Sequence, residues 1–154
     1  MKAINDNGTI KKFSSVPKTW GNKIGLQYAS DSELEDIGFY DVEFPTKKES
    51  QEYGDIEWDA TAEKFTFSVS TRTFSQTLAE LKEQKIANLK ALYNRELAKT
   101  DWEIVRDQEL GQTTNQDTLD ARATLRSECA THESNIKSKT SKASVIDYEL
   151  PSFI

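Results

Sequence analysis

Cys129 and His132 are the residues whose types and spacing come closest to a reactive or metal-binding site. They stand three apart on a predicted helix and could point the same way. A zinc site needs about four ligands, however, and the sequence has no other cysteine or histidine. A Cys–His dyad needs both side chains in a cleft, whereas one helical turn usually places them side by side against a core. We therefore expect both residues to pack inside the protein and expect no metal site.

Signatures of other catalytic sites are weak. Serine hydrolysis would have to use His132 without a Gly-x-Ser-x-Gly nucleophile elbow. Neither a Walker A motif nor a Gly-x-Gly-x-x-Gly motif is present. Carboxylates are abundant, so the sequence does not exclude a catalytic pair of carboxylates of the kind glycosidases use. Most Asp and Glu, however, occupy expected helix-cap and solvent positions. We predict a protein that is not an enzyme and binds no cofactor.

Composition bounds the class of protein. The 154 residues suffice for one domain or two small lobes. The net charge of -6 argues against nucleic-acid binding, because phosphate neutralisation needs clustered Lys and Arg. No apolar run is long enough for a membrane span, and the first residues turn polar too early for a signal peptide. A single cysteine excludes an intrachain disulfide and fits a reducing cytoplasm. We expect neither nucleic acid nor a membrane as a partner.

Residues 1–72 are predicted to form a small, mainly antiparallel β lobe with one short helix. Asn7 and Gly8 supply the positive φ values of a tight hairpin turn. A short helix capped by Asp31 or Ser32 leads into a further strand. Alternating apolar residues predict another antiparallel pair, with Ile56 and Trp58 on one arm and Phe65, Phe67 and Val69 on the other.

Most aromatic residues of this lobe are expected to fill its core, but Trp20 has a second interpretation. It lies in a loop beside Pro17 and Gly21. Because Trp and Tyr dominate binding hot spots, Trp20 is a candidate protein-binding residue.

Residues 73–137 are predicted to form an α-helical hairpin. The first helix is amphipathic, and Thr77 with Glu80 makes a capping box at its start. Thr114 with Asp117 caps a second helix. The apolar stripe of that second helix is predicted to contain Ala121, Leu125, Cys129 and Ile136.

The helices change direction at Thr-Asp-Trp-Glu, where Thr100 and Glu103 have the spacing of a further capping box. Trp102 is then expected to be the buried wedge that fixes the angle of the corner, and its truncation to alanine would cost about 3–5 kcal/mol. If Trp102 were an interface residue instead, truncation would abolish partner binding without changing the melting temperature.

Residues 138–154 are predicted to form an extended tail, so the expected fold class is α+β with three segments. Serine and lysine residues lead to an apolar terminus, which is unusual for a free chain end. Docking on the β lobe is the favoured placement, and strand addition to a neighbouring subunit is the alternative. Val145, Ile146 and Tyr148 are the expected contact residues.

Two sets of motifs carry a resemblance to known proteins. A charged helix runs into the Thr-Asp-Trp corner, then an Arg-Asp pair, then an Ala-Arg-x-x-Leu-Arg helix. The matching positions are Arg95, Leu97, Thr100, Asp101, Trp102, Arg106, Asp107, Arg122, Leu125 and Arg126. This part resembles the phage tail assembly chaperone-like family. The "PKTW" loop and the "ELEDIGFYDV" segment are similar to the front half of phage tail-fibre accessory proteins. Ala121 departs from the pattern, since an aromatic residue is common there, and the C-terminal tail lies outside it.

The resemblance implies a non-enzymatic bacteriophage tail protein, made in the bacterial host cytoplasm, that binds a tail or tail-fibre protein and assists its assembly. The alternative is a minor virion protein, an adaptor that permanently links the fibre to the tail, neck or baseplate, with a homo-oligomer in the particle. The candidate protein-binding residues are Trp20, Trp102, Arg106, Arg122, Arg126, Val145, Ile146 and Tyr148.

Overall fold

A computed structural model of the chain describes residues 1–153. The chain forms two compact units, Met1–Arg72 and Thr73–Ile154. Strands predominate in the first unit and helices in the second, so the predicted α+β class is confirmed.

The first unit is built on a five-stranded sheet in the order β2-β1-β5-β7-β6. The strands are β1 (Lys2–Asp6), β2 (Thr9–Phe13), β3 (Thr19–Trp20), β4 (Lys23–Ile24), β5 (Tyr40–Glu43), β6 (Gln51–Asp59) and β7 (Lys64–Thr71). β3 and β4 form a separate two-stranded ribbon. The pairs β1–β2 and β6–β7 are antiparallel, as predicted, and the β1–β5 pair is antiparallel as well. The β5–β7 pair is parallel, which the sequence analysis did not anticipate.

Local turn and cap chemistry shapes this unit. Asn7 (φ 51°) and Gly8 (φ 88°) form the predicted turn between β1 and β2. The short helix α1 (Asp31–Glu35) is capped by Ser30, one residue before the predicted caps. The Ser30 hydroxyl accepts the Glu33 N–H, and the Glu33 carboxylate accepts the Ser30 N–H in return. This reciprocal pair satisfies donors that a cap at Asp31 or Ser32 would leave open.

Two hydrophobic clusters lie on opposite faces of the main sheet. On one face, α1 and the 3-10 helix Leu26–Tyr28 help to cover a cluster centred on Ile4, Leu26, Leu34 and Phe39. The other face carries a cluster of Ala3, Val42 and Phe65, against which Ile10, Tyr40, Ile56 and Phe67 pack. Residues that alternate along each strand therefore serve different cores.

A β-bulge interrupts β6 between Tyr53 and Ile56, and Gly54 within it lies close to the Ser68 side chain of β7. A Cβ on Gly54 would lie 2.6 Å from Ser68 Oγ, which donates a hydrogen bond to the Asp55 carbonyl. Gly54→Ala is therefore expected to displace the serine hydroxyl and lower the free energy of unfolding by about 1 kcal/mol. Denaturant titration measures this loss. In a Ser68→Ala background the same change should be nearly neutral, and an undiminished loss there would contradict the proposed clash.

The second unit contains four helices. They are α2 (Leu78–Ala98), α3 (Asp101–Glu109), α4 (Gln116–Ser138) and α5 (Lys142–Ile146). The capping box of Thr77 and Glu80 begins α2 as predicted. α4 is capped by Asn115, which accepts the Asp117 N–H, so the predicted Thr114 cap is wrong by one residue. Ala121 is exposed, so it does not belong to the apolar stripe.

The core of the second unit lies where α2 meets α4 and α5. Its buried residues are Leu81, Leu89, Tyr93, Ile136 and Val145, and the neighbouring Leu125 and Cys129 pack against it as expected. The predicted extended tail is wrong over residues 142–146, which are helical. Because Val145 is buried and Phe153 packs edge-on against Tyr93, the tail completes this core. That placement is neither a strand added to a neighbour nor the one favoured from the sequence.

Candidate functional site

The corner between α2 and α3 is held by backbone and side-chain hydrogen bonds, without the predicted capping box. Thr100 precedes α3, but its side chain does not cap the helix. Its hydroxyl donates to the Leu97 carbonyl (3.2 Å). The Glu103 carboxylate accepts instead from the Thr118 hydroxyl of α4 (2.9 Å). The helix restarts where the sequence predicted, through different contacts.

Arg122 of α4 is the side chain that joins the two helices at this corner. Its Nη1 donates to the Leu97 carbonyl and the Thr100 hydroxyl, both at 2.6 Å. Its Nη2 donates to Asp101 Oδ1 at 2.7 Å. Arg122 is only 9% exposed, so the prediction that it binds a partner is wrong. A planar guanidinium suits this role because it offers several donors in fixed directions.

Arg122→Ala is expected to lower the free energy of unfolding by about 2–3 kcal/mol, because it removes three hydrogen bonds to acceptors at the corner, two of them partly buried. This loss is smaller than the largest losses known for breaking a buried ion pair. The reason is that Asp101 is largely exposed to water. Chemical denaturation measures the loss. Arg122→Lys keeps the positive charge but loses the several N–H donors that the guanidinium holds in fixed directions. Its free energy of unfolding should lie between those of wild type and the alanine variant. Equal stability of all three proteins would contradict this role.

Trp102 is exposed, so the prediction of a buried wedge is wrong. The residue is 58% exposed, and the Arg106 guanidinium carbon lies 4.8 Å from the centre of its ring. Arg106 also donates to Asp107 Oδ1 at 2.7 and 2.8 Å. Asp107 is buried and lies on the inner side of α3. The helix period of about 100° per residue then turns Trp102 outward.

Trp102, Val105, Arg106 and Leu110 form an exposed surface, which we call the Trp102 surface. The three apolar side chains are each more than half exposed. At helical spacing all four residues fall on one half of α3, away from Ile104 and Asp107. Large apolar side chains clustered in this way on an exposed helix are typical of a protein-binding site.

The other predicted binding residues lie outside the Trp102 surface. Trp20 is half-buried and packs edge-on against Phe13 and Phe39, so it belongs to the core. Val145 is buried, and Ile146 and Tyr148 pack half-buried against the core of the second unit. Arg126 is exposed and lines a groove of about 320 Å³ between α2 and α4.

Val105 and Leu110 are the members of the Trp102 surface that the sequence analysis did not select. The signal was available for Val105, which stands three residues after Trp102 on a predicted helix. Ile24 and Tyr28 of the first unit were also missed as exposed residues, and Tyr28 is 87% exposed.

Cys129 and His132 are packed as the sequence analysis expected. Burial raises the pKa of the Cys129 thiol, helped by the nearby Glu133 carboxylate, which opposes formation of a reactive thiolate. His132 Nδ1 lies 2.6 Å from the Tyr148 hydroxyl, so the imidazole contacts the tail. Within residues 1–153 no cluster of three or more His, Cys, Asp or Glu could hold a metal ion.

Glu33 and Asp36 are two carboxylates that line one open groove, of about 480 Å³. Hydrogen bonds from the Ser30 backbone and hydroxyl lower the pKa of Glu33. A general acid needs a carboxyl whose pKa is raised. Glu33 is therefore a helix-capping carboxylate with the wrong shift for acid catalysis.

Comparisons with known proteins leave the resemblance as an expectation from motifs. No family model, curated protein or solved structure matches the chain. In the part of the chain that the structure describes, no helix combines the length and apolarity needed to cross a bilayer.

Proposed function

We propose that this chain is a non-enzymatic protein that binds another polypeptide through the Trp102 surface. The observation that carries the proposal is the exposure of Trp102, Val105 and Leu110 on one short helix. Burying these side chains against a partner would remove apolar area from water at about 25 cal/mol per Å². The Arg122 bonds hold α3 in place beforehand, which lowers the cost of ordering it on binding.

The shape of the surface favours a polypeptide as the ligand. α3 presents a convex helix face, whereas small molecules bind in concave pockets. Tryptophan and arginine are the residue types most enriched in protein-binding hot spots. A helix that offers Trp102 and Val105 at i, i+3 spacing suits an apolar groove on the partner.

We further propose that the partner is a bacteriophage tail or tail-fibre protein whose assembly this chain assists. The support is the resemblance of the Thr-Asp-Trp corner and the following arginines to the tail assembly chaperone-like family. The same motif divides into two physical roles here. Thr100, Asp101 and Arg122 build the corner, and Trp102 and Arg106 lie on the exposed surface. In this mechanism the chain covers an apolar surface of the tail or fibre protein. It does so until the tail or fibre protein oligomerises and buries that surface.

The second candidate function is a permanent adaptor in the virion. A permanent link through the C-terminal tail would need a neighbouring subunit to hold the apolar residues of the tail. The tail instead packs on α2 and α4 of its own chain, with Val145 buried and Lys85 Nζ donating to the Ile146 carbonyl at 2.8 Å. The tail therefore no longer favours the adaptor, and we prefer the assembly role.

Affinity purification from infected cells, followed by mass spectrometry, tests the identity of the partner. We expect a tail or tail-fibre protein to co-purify with the tagged wild-type chain. Capture of other proteins alone would contradict the proposal. Analysis of purified particles separates the two roles, because an assembly factor is absent from them and an adaptor is present at fixed stoichiometry.

A further inference from the structure

The face of the main sheet opposite α1 carries a set of aromatic side chains. Strand register places these side chains together, since Val42 pairs with Phe65 and Ile56 pairs with Phe67. The rings contact one another in two groups, with centroid separations of 4.6 to 6.4 Å. We call this the aromatic face, and its rings belong to Tyr40, Phe44, Tyr53, Trp58, Phe65 and Phe67.

The aromatic face is only partly buried. Phe65 is buried, but Phe44 is 54% exposed and Trp58 and Tyr53 are each more than a third exposed. A groove of about 220 Å³ opens beside Tyr40 and Trp58. The surface therefore offers exposed aromatic rings to a partner.

Two lysines lie over rings of the aromatic face, in a chain whose net charge is -6. Lys12 Nζ lies 5.9 Å from the Phe67 ring centre, and Lys47 Nζ lies 5.5 Å from that of Tyr53. Three carboxylates of the strands alternate onto the opposite face. There Asp41 pairs with Lys2 and Glu43 pairs with Lys64. Glu57, between Ile56 and Trp58, also alternates to that side.

We propose that the aromatic face binds an extended polypeptide segment in which apolar and acidic residues are interspersed. Its apolar side chains would pack among Phe44, Tyr53 and Trp58, and its carboxylates would pair with Lys12 and Lys47. Complementary charge of this kind selects the partner and its register. This surface is separate from α3, so the inference does not depend on the Trp102 surface.

Other ligand classes fit the aromatic face less well. Sugar hydroxyls both donate and accept hydrogen bonds, and the carboxylates of Asp41, Glu43 and Glu57 lie on the opposite side of the sheet. Single-stranded nucleic acid would need a longer run of cations than two lysines in an acidic chain. A second copy of the same face would bring lysines against lysines, which is unfavourable.

Binding of short synthetic peptides to the full-length protein tests the inference. One peptide alternates Phe or Leu with Glu, and a second has Lys in place of every Glu. Fluorescence anisotropy should show binding of the acidic peptide, and added salt should weaken it. The basic peptide should bind at least about tenfold more weakly. Failure of the acidic peptide to bind at millimolar concentration would overturn the inference.

Variants locate the binding to the aromatic face. Phe44→Ser and Lys47→Glu change exposed or flanking residues and should each weaken the acidic peptide about tenfold or more. Lys23→Glu makes the same charge change on the separate ribbon and should leave the affinity unchanged, as should Trp102→Ala. Equal affinity of the Phe44→Ser and Lys47→Glu proteins with wild type would place the peptide elsewhere. Tighter binding of an oligo-dT probe than of the acidic peptide would assign the face to nucleic acid.

Discussion

Phe39→Ala is expected to lower the free energy of unfolding of the first unit by about 4 kcal/mol. The Phe39 side chain is fully buried. Its ring contacts Phe13 at 5.7 Å and Trp20 at 5.6 Å between centroids. Truncation leaves a cavity beneath α1 that these rings cannot close, since each is held by its own strand. Denaturant titration followed by tryptophan fluorescence measures the loss.

Phe44→Ala is the matched control for this change. It removes the same atoms from the opposite face of the sheet, where Phe44 is mostly exposed. We expect a loss below about 1 kcal/mol for the control. Equal losses for the two variants would contradict the assignment of Phe39 to the core and of Phe44 to an open surface.

Val145→Asp is expected to lower the free energy of unfolding of the second unit by about 4 kcal/mol. Val145 is 1% exposed among Leu81, Leu89 and Ile136. A carboxylate there is either buried without a partner or forces the tail off α2 and α4. In the second case, the contacts of Tyr148 and Phe153 are lost as well.

Hydrogen exchange distinguishes this outcome from a general loss of structure. We expect the backbone amides of α5 (Lys142–Ile146) to lose protection first. Thr140→Asp introduces the same charge at an exposed position of the tail and should leave protection and stability unchanged. Wild-type stability of Val145→Asp would mean that the tail does not complete this core.

Elements with a strong local signal were predictable from the sequence. The turn at Asn7 and Gly8 and the capping box of Thr77 and Glu80 are fixed by residues within four positions of one another. The N-cap residue of a helix was harder to predict where several polar residues stand next to one another. Ser30 replaced Asp31, and Asn115 replaced Thr114, because only one of each pair meets the first free N–H groups of its helix.

Features that depend on distant segments were not predictable. The parallel β5–β7 pair joins strands that are separated by a hairpin arm. The segment around Val145 has strand-forming residues, yet Ser141 and Ser144 cap a helix there. Packing of Val145 against the core of α2 and α4 stabilises this helix. Tertiary contacts override local preference in both places.

The candidate site was predicted in part. Trp102 and Arg106 lie together on an exposed surface, but the sequence suggested that the tryptophan holds the corner. Arg122 holds it instead, because its long side chain reaches the end of α2 from α4. From residue type alone, a tryptophan is expected to be buried and an arginine to be exposed. The order is reversed here because the three acceptors at the corner need a donor with several N–H groups.

The affinity of Trp102→Ala for the co-purified partner, measured beside its stability, tests the central claim most directly. We expect the dissociation constant to rise at least about tenfold while the free energy of unfolding changes by less than about 1 kcal/mol. Tyr28→Ala removes an even more exposed aromatic ring from the first unit and should bind like wild type. Unchanged affinity of Trp102→Ala, or a loss of stability of about 3 kcal/mol or more, would contradict a binding role for this surface.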